Sequence, residues 1–290
     1  ALSEAYQERT NQLQRKDLRD SLAALARTGD TPPVMDERDF GLCLKVSAPL
    51  RIGISSANAS DNHLRSKEQG GKTLNASIDM QLDDETEPRT PIHVSARRIE
   101  DPRLILRSNS MAFKADFEAS TRGDAATQSK FFFAYRRGGD EALRLVKQAL
   151  VHTGIVRPDT DDVMKDVSRF AGGGGLEITT RSEVLQGSGL GTSSILATAI
   201  LKALYRLCSN PIVDSDQEYP ALYDQSLLLE QSVGLNSGWQ DARGACGGPS
   251  AVKDFRAPPT EALPAPAIRY LEGIDEEEFS QRIVLFDTGI

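Results

Sequence analysis

The sequence predicts an α+β fold, and three observations carry the prediction. Apolar residues recur at a period of two through the first part of the chain, from Leu42 to Leu106. They shift to helical spacing from about Phe131 onward, with no regular strand–helix alternation of the kind a doubly wound sheet requires. A glycine-rich run, Gly187–Ser194, then lies between a strand-like and a helix-like segment. With 290 residues, 39% of them apolar, the chain is long enough to bury a substantial core.

Taken in order, residues 1–27 are polar and helix-forming, with Leu13, Leu18, Leu22 and Leu25 forming a narrow apolar stripe that stops at Thr28-Gly-Asp-Thr-Pro-Pro33. Residues 1–38 are therefore expected to be a helix and linker, either a connector to an upstream domain or a helix packed on the body of the protein. Leu42, Leu44 and Val46, then Leu50, Ile52 and Ile54, predict a pair of strands, followed by strands near 74–82, 92–96 and 104–106. Leu143, Val146, Leu150 and Ile155 fall at helical spacing within 131–156, and 159–170 predicts a further helical piece. The glycines 172–175 read as a flexible turn. Leu176, Ile178, Thr180 and Val184 then alternate as in a half-buried strand. Ile195, Leu196, Ala199, Ile200, Ala203, Leu204 and Leu207 repeat every three or four residues, so a helix starts just after the glycines. A second apolar helix is expected over 222–233, and the acidic runs 83–87 and 275–278 are solvated loops or helix starts.

The glycine run is the main functional signal. A helix start carries unpaired N–H groups and the positive end of the macrodipole, so it can hold an anion without a cationic side chain. Thr192, Ser193 and Ser194 add hydroxyls able to cap the helix, touch phosphate oxygens or bind a magnesium ion. The bland alternative is a tight strand-to-helix turn with a serine cap. A Walker loop is excluded because no lysine lies between Gly187 and Lys202. The dinucleotide fingerprint is excluded because Gly187, Gly189 and Gly191 alternate.

Composition narrows the remaining classes. A net charge of −8 with no Lys/Arg cluster disfavours nucleic acid as a partner. No apolar run approaches the roughly 20 residues that span a bilayer, so no membrane role and a cytoplasmic location are expected. Cys43, Cys208 and Cys246 are odd in number and far apart, as expected of reduced, mostly packed thiols. His63, His93 and His152 are too scattered to suggest a metal site.

The string Gly187-Ser-Gly-Leu-Gly-Thr-Ser-Ser194 resembles the phosphate-binding motif of the GHMP small-molecule kinases, and its extension to Ala197 is most similar to the L-fucokinase and heptose kinase branch. Ser47–Ile54 is similar to that family's opening strand, Gly70–Ile78 to the glycine-led strand after it, and Ser237-Gly-Trp-Gln-Asp241 to the segment carrying the catalytic aspartate. Four matches in the right order imply the N-terminal GHMP lobe, which is similar to domain 2 of ribosomal protein S5. The implied organisation is a helix and linker at 1–38, a nucleotide- and sugar-binding lobe at 39–256, and at 257–290 a linker with the first strand of a truncated, ferredoxin-like C-terminal lobe. The family's third glycine motif is expected to be missing, and a nucleotidyltransferase domain is expected upstream.

The resemblance also implies the chemistry. The γ-phosphoryl group of ATP would pass to a sugar hydroxyl, at the anomeric position of a fucose-, arabinose- or heptose-like substrate. Gly187, Ser188, Gly189, Leu190, Gly191, Thr192, Ser193 and Ser194 would hold the phosphates. Ser193, Ser194 and Glu230 would hold Mg2+, and Asp241 would be the base, with Arg51 beside it keeping it ionised. Asp61, Asn62, His63 and Trp239 would contact the sugar. The segment 55–62 lacks the branch's paired glycines and tryptophan, which implies altered specificity. The alternative is a non-catalytic nucleotide- or sugar-binding relative, or an incomplete kinase fragment.

Overall fold

In the computed structural model, the residues described are 32–35, 37, 40–55, 63–81, 86–111, 113–118, 125–137, 142–184, 188–209, 220–235, 237–245, 252–260 and 266–282. The expected helix over 1–27, residues Asp61, Asn62, Gly187 and Cys246, and all but Arg282 of the strand expected at 282–290 lie outside them. Two sheets and a central helix organise the rest. Strands β1 (Cys43–Ala48), β4 (Ile92–Ile99), β5 (Arg103–Ser108), β6 (Phe113–Glu118) and β7 (Gly175–Ser182) form a five-stranded sheet in the order β1-β4-β7-β5-β6. Strands β2 (Leu50–Ser55), β3 (Gly71–Ile78), β8 (Val252–Ala257) and β9 (Ala267–Tyr270) form an antiparallel sheet in that order. The arrangement is α+β, as the sequence predicts.

The expected pair of strands at 42–54 is two strands in different sheets: β1 pairs with β4 and β2 with β3. The chain changes sheet at Pro49, a residue with no N–H to offer a ladder. Beyond the expected lobe boundary at 256 the sheet continues, because β9 pairs with β8. Strand β1 alternates as read, but β2 runs from two buried residues, Leu50 and Arg51, to three exposed ones, and β7 is buried on both faces: Leu176 and Ile178 lie in the core, and on the opposite face Glu177 is held by Arg97 and Arg107.

Strands β5 and β7 are parallel, so a crossover must join them. It contains α2 (Ala125–Phe132), α3 (Arg144–His152) and α4 (Val163–Phe170), with a short 3-10 turn at Phe133–Arg137 where a longer helix was expected. Helix α5 (Thr192–Leu207) packs on β1, β4 and β7 on one side and against α3 and α6 (Pro220–Ser232) on the other. Twelve of its sixteen residues are buried, the pattern of a helix enclosed by neighbours rather than one lying on a surface. The two short helices α1 (His63–Gln69) and α7 (Gln240–Gly244) border the second sheet. The acidic run at 275–278 opens α8 (Glu276–Gln281), where negative charge suits the helix start. Among the described residues no helix is long and apolar enough to cross a membrane.

Candidate active site

The loop before α5 is shaped by two glycines in the left-handed region, Gly189 at φ 75° and Gly191 at φ 73°. Gly191 is itself the helix N-cap, and its carbonyl accepts the first intrahelical bond from Ile195 N–H at 3.0 Å. Gly191 has no side chain with which to cap the helix, and among the described residues no hydroxyl of Thr192 to Ser194 takes that place at the N-cap. The first-turn amides therefore keep their affinity for an external acceptor. A Cβ on Gly191 would sit 3.1 Å from Arg51 Cγ and 3.4 Å from Asp241 Cβ, whereas one on Gly189 would meet nothing within 4 Å. Gly191 is thus small because the protein's own Arg51 and Asp241 side chains pack against it, whereas Gly189 faces open space.

Arg51 joins the loop to the second sheet. From β2 its backbone N–H donates to Leu190 O at 3.2 Å, and its Nη1 donates to Gly189 O at 3.1 Å. Nε donates to Asp241 Oδ1 at 2.9 Å, and Nη2 closes on the same oxygen. Residues 190 positions apart in sequence thereby meet beside the glycine loop. The Arg51 side chain is only 7% exposed and the Asp241 side chain 17%, so water screens the pair weakly and charge-assisted hydrogen bonds of this kind are strong.

Glu230, near the end of α6, is 1% exposed. Burial, together with the nearby charge of Asp241, pushes its carboxyl up to about 7, while the hydroxyls of Ser194, Ser193 and Ser237 pull it back down. Its Oε1 has no hydrogen-bond partner among the described residues. Ser194 is buried, and its backbone carbonyl is held by Thr198 and Ser226. Ser193 is half-buried beside it, and Ser188 Oγ lies 3.4 Å from Thr192 Oγ1. Among the described residues no group of three or more His, Cys, Asp or Glu side chains is arranged to cage a metal.

The structure corrects the reading of Trp239. Rather than lining a sugar site it is 2% exposed, packs with Leu227 and Phe255, and donates its indole N–H to Ser66 Oγ at 2.9 Å. A buried tryptophan needs such a partner for its one polar group. His63 opens α1, directly after the segment that holds Asp61 and Asn62. Of the cysteines, Cys208 packs on the main core and burial pushes its thiol up to about 12, but Cys43 is exposed on β1 and is not a packed thiol.

Three contributors gave no signal in sequence. Gly244 ends α7, and a Cβ there would lie 2.9 Å from Arg51 Cγ. Arg243 is 3% exposed, pairs with Asp224 and donates to Trp239 O at 3.3 Å, tying α7 to α6. Lys253 is fully buried on β8, with its Nζ donating to Gly244 O and to Ser77 Oγ. Each is an ordinary residue in an unremarkable local pattern, and only the fold gives it these neighbours.

The chain is similar to known proteins over parts of its length. The family model described as the GHMP kinases N terminal domain matches residues 159–248, a span that contains the glycine loop, Glu230 and Asp241. The bifunctional fucokinase/GDP-fucose pyrophosphorylase of Arabidopsis thaliana is 35% identical over 151 residues, covering 52% of this chain and 13% of the relative. The L-fucokinase/L-fucose-1-P guanylyltransferase of Bacteroides fragilis is 26% identical over 247 residues, covering 84% of this chain and 23% of the relative. A solved D-glycero-D-manno-heptose 1-phosphate kinase from Bacteriodes thetaiotaomicron superposes with a TM-score of 0.49 at 20% identity, covering 79% of this chain and 59% of that one. The chain spans less than a quarter of the length of these two sequence relatives. The match over 159–248 and the two sequence relatives together support a GHMP kinase N-terminal domain of the fucokinase-like branch in this chain.

Proposed function

We propose that this chain forms the nucleotide- and sugar-binding lobe of a kinase that transfers the γ-phosphoryl group of ATP to a sugar hydroxyl, with a fucose-, arabinose- or heptose-like substrate phosphorylated at the anomeric position. The observation that carries the proposal is the Arg51–Asp241 ion pair seated against the uncapped start of α5. Both sequence relatives are named for fucokinase activity joined to a nucleotidyl-transfer activity, which supports a sugar as acceptor and a nucleotidyltransferase domain elsewhere in the full-length protein. The lobe assignment to 39–256 and the cytoplasmic location belong to the same reading.

Phosphoryl transfer asks for alignment and charge neutralisation more than covalent chemistry. The first-turn amides of α5 and the hydroxyls of Ser188, Thr192 and Ser193 would receive the phosphates. The sugar hydroxyl oxygen attacks the γ-phosphorus, the bond to the β-phosphate oxygen breaks to release ADP, and the hydroxyl proton passes to the Asp241 carboxylate. Arg51 holds that carboxylate in place and offsets its charge through the fork of its guanidinium.

The donor set also fits a magnesium ion. Glu230 Oε1 is buried without a hydrogen-bond partner among the described residues, and Ser193 and Ser194 adjoin it, all of them hard oxygen donors. Glu230 with these serines would hold the ion, which when bound supplies charge neutralisation on the triphosphate. A small number of protein ligands suits magnesium, which keeps waters and phosphate oxygens in its shell.

The test is titration of the full-length protein with ATP and magnesium, followed by a coupled ADP-release assay over a sugar panel. Sugar-dependent ADP release that is lost in Asp241→Asn supports the proposal. Nucleotide binding with no turnover on any sugar would overturn it in favour of a non-catalytic relative.

A further inference from the structure

Lys253 is a fully buried cation in a position where an apolar residue would be the cheaper choice. Its neighbours on β8, Val252 and Phe255, are also buried. Taking an ammonium out of water costs several kcal/mol unless it is well partnered, and replacing a buried charge by an apolar side chain of similar volume is often neutral or stabilising. A buried lysine that contributed only packing would therefore be a poor solution. Where its donors go is the informative part.

One donor goes to the carbonyl of Gly244, the last residue of α7, and another to Ser77 Oγ at 3.1 Å. One acceptor lies on the helix that carries Asp241, the other on the strand that pairs with the strand of Arg51. Helix α7 carries Asp241. Ser77, on β3, is the register partner of Arg51 on β2. Lys253 itself pairs in register with Asn75, so its side chain spans from the second sheet to the end of the helix. The contact also falls where the two elements press together, because the absent Cβ of Gly244 leaves the space that Arg51 Cγ occupies.

Helix α7 is five residues long and cannot hold itself together by backbone hydrogen bonds alone. A cation donating to its terminal carbonyl satisfies an otherwise orphaned acceptor and complements the negative end of the helix. Arg243 and Trp239 tie the same segment to α6 and α1, whereas Lys253 ties it to the strand beside Arg51. Those other ties run to α6 and α1 rather than to the sheet that carries Arg51.

We infer that Lys253 is a positioning residue that fixes α7 against β2 and β3 so that the Asp241 carboxylate meets Arg51 at the phosphate loop. The inference rests on the phosphoryl-transfer reading above for its catalytic consequence, but the positioning itself is readable without turnover.

The test uses Lys253→Met, which keeps the volume and removes the donors, in the full-length protein. Hydrogen exchange at the amides of residues 241–245 is expected to rise at least tenfold, with protection in β3 and β8 unchanged. If the protein turns over a sugar, kcat is expected to fall tenfold or more while the KM for nucleotide stays within about twofold. Lys253→Arg, which restores a donor, is expected to recover part of the protection. Unchanged exchange at 241–245 in Lys253→Met overturns the inference. So does a uniform rise across the whole second sheet, which would mark Lys253 as a general stabiliser. Should Lys253→Met fail to fold, Ser77→Ala removes one arm of the tie and must raise exchange at 241–245 by a smaller factor for the inference to stand. A wild-type protein that phosphorylates no sugar overturns the proposed function alone, since the exchange measurement is read on the unliganded protein.

Discussion

At the scale of single residues, Asp241 and Glu230 are two carboxylates with different environments, and the proposed function gives them different duties. Asp241 is partly exposed and held by a guanidinium; Glu230 is buried, with a carboxyl pushed up to about 7. Asp241→Asn keeps the shape and the ability to accept from Arg51 but removes the proton acceptor. Sugar phosphorylation is expected to fall by a factor on the order of 100 to 10,000, with ATP affinity little changed, as measured by steady-state kinetics beside calorimetry. Glu230 must lose its proton to hold a divalent cation. Apparent magnesium affinity is therefore expected to rise with pH up to about 7 and then level off, and Glu230→Gln should weaken magnesium binding and abolish that pH dependence. A magnesium titration at several pH values measures both. Arg51→Lys is not a conservative change here, because one ammonium cannot bridge Asp241 and Gly189 O as the fork does.

At the scale of elements, the site is a meeting of three short pieces: the start of α5, the strand β2 and the helix α7. None holds the geometry alone. The packing of α7 on β2 is tight at Gly244, where an added Cβ would lie 2.9 Å from Arg51 Cγ and 3.0 Å from Arg51 Cβ. These are the root of the side chain rather than its flexible end, so the helix must move instead. Gly244→Ala is expected to reduce kcat by more than tenfold while leaving the thermal unfolding midpoint within a few degrees, because the strain is relieved by displacing a five-residue helix rather than by opening the core. Calorimetry and kinetics on the same preparation decide it: a large loss of stability with an unchanged kcat per folded molecule would contradict this account. By contrast Phe255, fully buried between the second sheet and Trp239, belongs to the packing itself. Phe255→Ala should cost about 3–5 kcal/mol of stability.

At the scale of the whole molecule, two buried groups set opposing dependences of stability on pH. Glu230 has a folded pKa near 7, above its ordinary value of 4.5. The folded state binds that proton more tightly, so stability from this group is full below about 4.5 and is lost as pH rises through about 7, by an amount on the order of 3 kcal/mol. His152 is the reverse. Burial pushes its pKa below 6.5, with Nε2 against Gln225 Oε1 and Nδ1 unpartnered among the described residues. The unfolded chain binds that proton more readily, so stability is lost as pH falls below 6.5. Urea unfolding of the unliganded protein across pH 4.5–8 is expected to show a flatter neutral limb in Glu230→Gln and a flatter acid limb in His152→Gln.

Much of the fold and part of the site are legible in the residues taken one stretch at a time. The period-two pattern of β1 to β5, the helical spacing of α5 and α6, and the alternating glycines before α5 are local properties that act over a few residues, and the chain adopts them wherever it lies. They are enough to indicate an α+β lobe with a helix start suited to an anion, while the assignment of Glu230 and Asp241 to that helix start comes from the family resemblance. What local pattern does not carry is partnership. Pro49 sends adjacent strands to separate sheets, and Trp239 goes into the core rather than the site. Arg51 reaches Asp241 across 190 positions, and Lys253 spans from β8 to Gly244. These contacts form because burial excludes water from particular polar groups and obliges each to find another protein atom, and which atom lies within reach is settled only once both sheets have closed around α5.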